Sequence, residues 1–228
     1  MREQHPLALP PPAGAAHWGE EVLFSPRVMD ALCSVNSVFL GLAAELHAQR
    51  PGMPALGLPA HILTAIARAG SGRECVLPLA LCDLRFRDER FWRNEALACR
   101  AVNDGQAAVA ADPRTRRVTC AAVTLAWHLV QTEPRVARLA LGLEPAVQEV
   151  LDGVPLGSLD ALAGRVASSL SARFCTRERF WSQVTAVLRF GPKTGGLERL
   201  RLLGLQLQGT EAARAQLLHR RLRRTTQA

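Results

Sequence analysis

The chain contains no tyrosine and a single lysine, Lys193, and aromatic residues make up only 5% of its 228 positions. Strands draw on aromatic and β-branched side chains, so a sheet-rich fold lacks its usual material. The plentiful Ala, Leu, Arg and Glu favour helix instead. No run of about 18 apolar residues occurs, so no membrane-spanning helix is expected. The beginning of the chain lacks a basic stretch followed by a long apolar run, and Pro10-Pro11-Pro12 interrupts it, so no signal peptide is expected either. The six cysteines form no CxxC pair and no disulfide framework, which leads us to expect buried, reduced thiols in a soluble cytoplasmic protein. Phosphate-binding loops, the dinucleotide glycine fingerprint, HExxH and GxSxG are also missing. No catalytic residues, metal ligands or cofactor are therefore assigned, and no enzyme is expected.

What is present is a repeat. Asp88-Glu89-Arg90-Phe91-Trp92 returns almost unchanged as Arg177-Glu178-Arg179-Phe180-Trp181, in a chain with only four tryptophans. Upstream, Leu56-Gly57-Leu58 is matched by Leu141-Gly142-Leu143. The aromatic pairs are 180 − 91 = 89 residues apart and the turns 141 − 56 = 85, so a four-residue length difference lies between them. This period exceeds the roughly 20–50 residues of solenoid units and points to a duplicated small domain. The expected division is a Pro/Ala-rich arm over 1–24, repeats over 25–112 and 113–192, and a basic helical extension over 193–228.

The net charge is +8, and all but one of the 28 basic residues are arginine. Arginine makes bidentate contacts to phosphate and to guanine edges, which suits a nucleic-acid partner, while a GC-rich genome explains the choice of Arg over Lys equally well. Candidate DNA-contacting residues are Arg85, Arg87 and Arg90 around the first Phe-Trp helix, with Arg93 beside them. Arg173, Arg177 and Arg179 surround the second, and Arg220, Arg221, Arg223 and Arg224 form the densest run. Solvated helix faces account for the dispersed arginines just as well.

Ser25-Pro26 reads as a helix start, with Val28, Leu32, Val35, Phe39, Leu42 and Leu46 on one stripe running to about Pro51. Val118, Ala122, Leu125 and Leu129 form a shorter stripe ending at Pro134. Val35, Phe39, Leu42 and Leu46 with Leu125 and Leu129 are the candidate seam between repeats, the alternative being ordinary core packing. Asp88 is expected to cap a helix to about Val102 with Phe91, Leu97 or Ala98, and Ala101 inward, ended by Asn103-Asp104-Gly105. Ser158 is expected to cap a helix through Leu170, and Thr176 to open the helix ending at Gly191. Two separate helical segments are expected over 197–207 and 210–224. His61, Cys75 and Cys82 fit no zinc pattern. His128 has no acid or nucleophile nearby in sequence, and Trp92 and Trp181 read as core residues or as base-stacking platforms.

The order of landmarks in the second copy, Ala140-Leu141-Gly142-Leu143, then 156–163, then Arg173-Phe174, resembles FlhD, the D subunit of the flagellar master transcription activator. That family runs from a long first helix to an "FRLGI" turn, a short helix, an "LPQMVKLA"-type helix and a "CHFRFD" link. In the first copy "VNSVFLGLAAEL" (35–46) is similar to the family's first helix and "CDLRFRD" (82–88) to its link. The resemblance covers about 28–102 and 118–188 and rests on order and spacing.

It implies an all-α fold of two FlhD-like repeats forming an intramolecular pseudo-dimer, where family members are homodimers of about half this length. It also implies a transcription activator subunit working at promoter DNA with an FlhC-like partner, which carries most of the DNA contacts and a zinc site, and with RNA polymerase as a further partner. Cys82 matches the family's inter-subunit cysteine, and in the second copy that place is Leu170. The basic C-terminal extension lies outside the family pattern. A second functional expectation is an adaptor or antagonist that sequesters a regulator without binding DNA.

Overall fold

The computed structural model describes residues 24–70, 77–101, 112–191 and 195–225. Trp18, Cys75 and the Asn103-Asp104-Gly105 helix end lie outside them, as do the side chains of Arg220, Arg221, Arg223 and Arg224. The fold is mostly helical, as expected, with nine α-helices among the described residues.

Helix α1 (Pro26–Gln49) starts where Ser25 Oγ accepts the Val28 N–H at 3.3 Å, and Pro26 fits the first turn. By length and hydropathy α1 is apolar enough to cross a membrane, but its stripe is spent on protein. Val28, Leu32, Val35, Phe39 and Leu42 are buried, and Leu46 packs at the margin. Asn36, also on the buried side, clasps the irregular segment 77–81: its Nδ2 donates to Leu79 O at 3.0 Å and its Oδ1 accepts from Leu81 N at 2.8 Å. That segment would otherwise bury unpaired backbone groups. Gly57, at φ 76°, makes the turn to α2 (Ala60–Ala69).

Strand β1 (Cys82–Asp83) leads through a tight loop to α3 (Glu89–Ala101), which Asp88 caps by accepting the Phe91 N–H at 2.9 Å. The inward side of α3 differs from the expected one. Trp92, Ala96 and Cys99 are buried, Phe91 is half-buried and Leu97 is 57% exposed, so the packed stripe is turned toward the tryptophan.

Helix α4 (Pro113–Thr132), capped by Asp112, is followed directly by α5 (Pro134–Leu141), an element beyond the expected stop at Pro134. Proline serves equally well at a first helical position. Gly142 at φ 73° closes α5 in the left-handed conformation. Then come α6 (Pro145–Asp152), a short 3-10 turn, and α7 (Leu159–Val166) in place of one helix through Leu170. Strand β2 (Ser171–Ala172) leads to α8 (Glu178–Phe190), whose N-cap position is Arg177 and which has no side-chain cap from Thr176. The two expected C-terminal segments are one helix, α9 (Gly196–Thr225).

Three features show how the halves meet. First, β1 and β2 pair antiparallel, Cys82 opposite Ala172 and Asp83 opposite Ser171, so each residue faces the position 89 places after its neighbour. Second, each turn region hydrogen-bonds the other half: Ala172 N of β2 donates to Leu56 O at 2.7 Å, and Glu144 N donates to Phe86 O, in the loop after β1, at 3.1 Å. Third, the helices exchange, α8 packing on α2 and α3 on α6, while α1 and α4 pack together. The candidate seam residues Val35, Phe39, Leu42, Leu125 and Leu129 are all buried in one continuous core, and the Phe39 ring lies 6.3 Å from that of Trp181.

Helix α9 lies across both halves. Leu200 is fully buried, Gly204 sits against Leu79 and Phe180, Gln208 donates to Leu139 O, and Glu211 pairs with Arg87.

Candidate nucleic-acid interface

The loop before α3 is fixed by its own polar groups. Asp83 Oδ1 accepts the Phe86 N–H at 3.2 Å, and Asp88 N donates to Arg85 O at 2.8 Å. The Trp92 indole N–H donates to Leu84 O at 3.1 Å, with the ring stacked on Phe86 at 5.5 Å. In this loop Arg85 takes φ 58°, pairs with Asp88, and lies over the Phe91 ring at 4.6 Å. Its side chain remains 53% exposed. Arg90 is exposed on α3, and Arg93 is exposed while paired with Glu89 at 2.6 Å.

The corresponding loop before α8 shares the Trp181 N–H on Arg173 O at 2.9 Å and a positive φ of 54° at Phe174, but Ala172 and Arg177 stand where Asp83 and Asp88 supply carboxylates in the first. Here the tryptophans answer the core-or-platform question: both are fully buried and unavailable for base stacking.

The ten candidate arginines divide. Arg85, Arg90, Arg177 and Arg179 are exposed and open to a polyanion. Arg173 is not, being only 4% accessible. Its Nη1 donates to Ala140 O at 2.7 Å, and its guanidinium lies against bare Gly142, where a Cβ would overlap it. Burial pushes its pKa down to about 10, with Glu211 and Asp83 opposing that shift and Arg87 adding to it. Arg87, beside it, is half-buried and held by Glu211. The structure brings these two together as a junction under α9 rather than as a surface for phosphate. The α9 backbone carries positions 220–224 on beyond Glu211, which pairs with Arg87.

Cys82 is fully buried, with its thiol pushed up to about 12 by burial and by Asp83. It is closed to an inter-subunit disulfide. His128 is exposed, and no group of three or more His, Cys, Asp or Glu is arranged for a metal among the described residues.

Arg173 was missed as a core residue because charge was read as exposure. Its immediate neighbours Ala172 and Phe174 are both apolar and buried.

No family model matches the chain, and no curated protein or solved structure matches it either.

Proposed function

We propose that the chain is an FlhD-like transcription regulator in which both modules of a dimer are carried on one polypeptide, acting in the cytoplasm on promoter DNA with an FlhC-like partner and RNA polymerase. The observation that carries this reading is the strand register, in which Cys82 and Asp83 face the positions 89 residues beyond Asp83 and Cys82 respectively. Such mutual exchange is what an isologous twofold contact produces between two copies of one surface. The reciprocal packing of α3 on α6 and α8 on α2 agrees with it. Exposed Arg85, Arg90, Arg177 and Arg179, with the basic end of α9, supply the electrostatic footprint.

Burial of Arg173 and capture of Arg87 by Glu211 shrink that footprint and favour a second reading, an adaptor or antagonist that sequesters a regulator. Co-expression with an FlhC-type subunit, followed by promoter binding over a salt series, separates the two. The first reading expects a co-purifying complex whose log affinity falls linearly with log salt. Recovery of a complex without DNA affinity selects the second, and recovery of neither rejects the family reading.

A further inference from the structure

Helix α9 has two faces. The one toward the body carries buried Leu200 and Gln208, Gly204 against Leu79 and Phe180, and Glu211 on Arg87. The opposite face is bare. Three of the eight large apolar residues exposed among the described residues stand on it, Leu202 at 60%, Leu205 at 44% and Leu217 at 58%. At about 3.6 residues per turn they form one row with Gly209 and Ala213, both exposed, over about 22 Å of helix. A continuous apolar row of this kind marks a contact surface.

Gly209 is the centre of that row. A Cβ there would meet nothing within 4 Å, in contrast to Gly204, whose bare side Leu79 fills. Glycine weakens a helix interior, and no packing within the described residues calls for it at 209. What a bare position does allow is the close passage of a second backbone. The spacing on either side is nearly symmetric: Leu205 and Ala213 stand four places before and after Gly209, and Leu202 and Leu217 seven before and eight after. A twofold axis at Gly209 therefore lays Leu205 on Ala213 and Leu202 on Leu217 of another α9 running the opposite way. This is the self-complementarity of an isologous contact.

Charge selects the same arrangement. Glu198 and Arg220 lie eleven places before and after Gly209, so the axis sets each opposite the other's copy. The Glu198 side chain is 66% exposed, and Arg201 Nη1 holds its Oε1 at 2.7 Å, which leaves the second oxygen to an incoming guanidinium. Parallel pairing would instead set the arginines of 220–224 against themselves. Leucines in a row give nothing to a phosphate backbone, so nucleic acid is not the occupant.

We propose that the outer face of α9 is a dimerisation surface, on which two copies of the chain pair antiparallel and cross at Gly209. The inference is independent of any role in gene control.

The test is the oligomeric state of the full chain, by sedimentation velocity and light scattering across a concentration series. A reversible dimer is expected. Leu202→Glu/Leu205→Glu should weaken it at least tenfold with the helical circular-dichroism signal intact. Gly209→Leu should do the same while leaving thermal stability undiminished, because leucine suits a helix better than glycine. Glu198→Arg should weaken the dimer, and Glu198→Arg/Arg220→Glu should restore it. A chain that stays monomeric, a dimer indifferent to the leucine and Gly209 variants, or a charge exchange without recovery each overturns the proposal. So does flotation of the monomer with phosphatidylglycerol vesicles that Leu202→Glu/Leu205→Glu abolishes, which would assign the row to a lipid surface.

Discussion

Arg85 and Phe174 hold the same left-handed backbone conformation 89 residues apart, at φ 58° and 54°, and each lays its side chain on the phenylalanine six positions later. Arg85 covers Phe91 from solvent, whereas Phe174 meets Phe180 edge-on at 5.1 Å. The difference follows from α9. Gly204 brings that helix against Phe180, which is fully buried, while Phe91 has no such roof and is half-buried. One of two equivalent faces is closed and aromatic, and the other is open and basic.

Phe174→Ala should therefore cost about 3 kcal/mol, in the range for emptying a buried aromatic site. Arg85→Ala should cost under about 1 kcal/mol, since a cation over a ring is worth little where water reaches it. Urea denaturation of both variants checks this, and equal costs would mean that α9 does not roof the second face.

The two tryptophans should behave as a matched pair. Trp92→Phe and Trp181→Phe each strand a buried carbonyl, that of Leu84 or Arg173, at about 1–3 kcal/mol apiece. Thermal unfolding should show losses of similar size, and a large loss in only one would break the equivalence of the loops.

Cys82 should resist alkylation in the folded chain at pH 8 and react once unfolded, because its folded pKa of about 12 keeps it a thiol. The sign on stability follows. The folded state holds its proton above pH 9 where the unfolded state releases it, so this contribution declines as pH rises from about 9 toward 12. Mass spectrometry of labelled peptides reads the first effect. Native labelling of Cys82, or a Cys82-linked dimer on a non-reducing gel, would contradict its placement.

Arg173 carries the opposite sign. Its folded pKa of about 10 lies below the ordinary 12.5, so the folded state sheds its proton first and gains stability as pH rises above about 10. The stability difference between the wild type and Arg173→Met should be flat below that pH and grow in favour of the wild type above it. A difference that is flat throughout would place Arg173 in water. Gly142→Ala should cost at least about 1 kcal/mol, from its left-handed φ alone and before the overlap with the Arg173 guanidinium.

Sequence periodicity exposed what depends on local pattern. The α1 stripe, the Ser25 cap and the end of α8 at Gly191 all lie where spacing and capping chemistry put them. The pieces that escaped depend on partners distant in sequence. Two-residue strands have no period to detect, and they exist because each pairs with the other across the chain. Asn36 was legible in retrospect, a polar residue on the same helical face as Leu32 and Phe39, though what it binds lies 43 residues on. Arg173 is buried because Ala140 O and the bare face of Gly142 receive it, and neither is adjacent in sequence. Among the candidate arginines with described side chains, packing leaves Arg85, Arg90, Arg177 and Arg179 exposed.

The claim beneath the rest is that two copies of one module face each other within the chain. Double electron–electron resonance measures it directly, with spin labels attached by non-cysteine chemistry at Ala65 and Ala186 in one sample and at Val150 and Leu97 in another. These pairs line the clefts between α2 and α8 and between α3 and α6, at positions separated by the repeat offsets. The expected result is two distance distributions with the same maximum, and clearly different maxima would contradict the twofold arrangement.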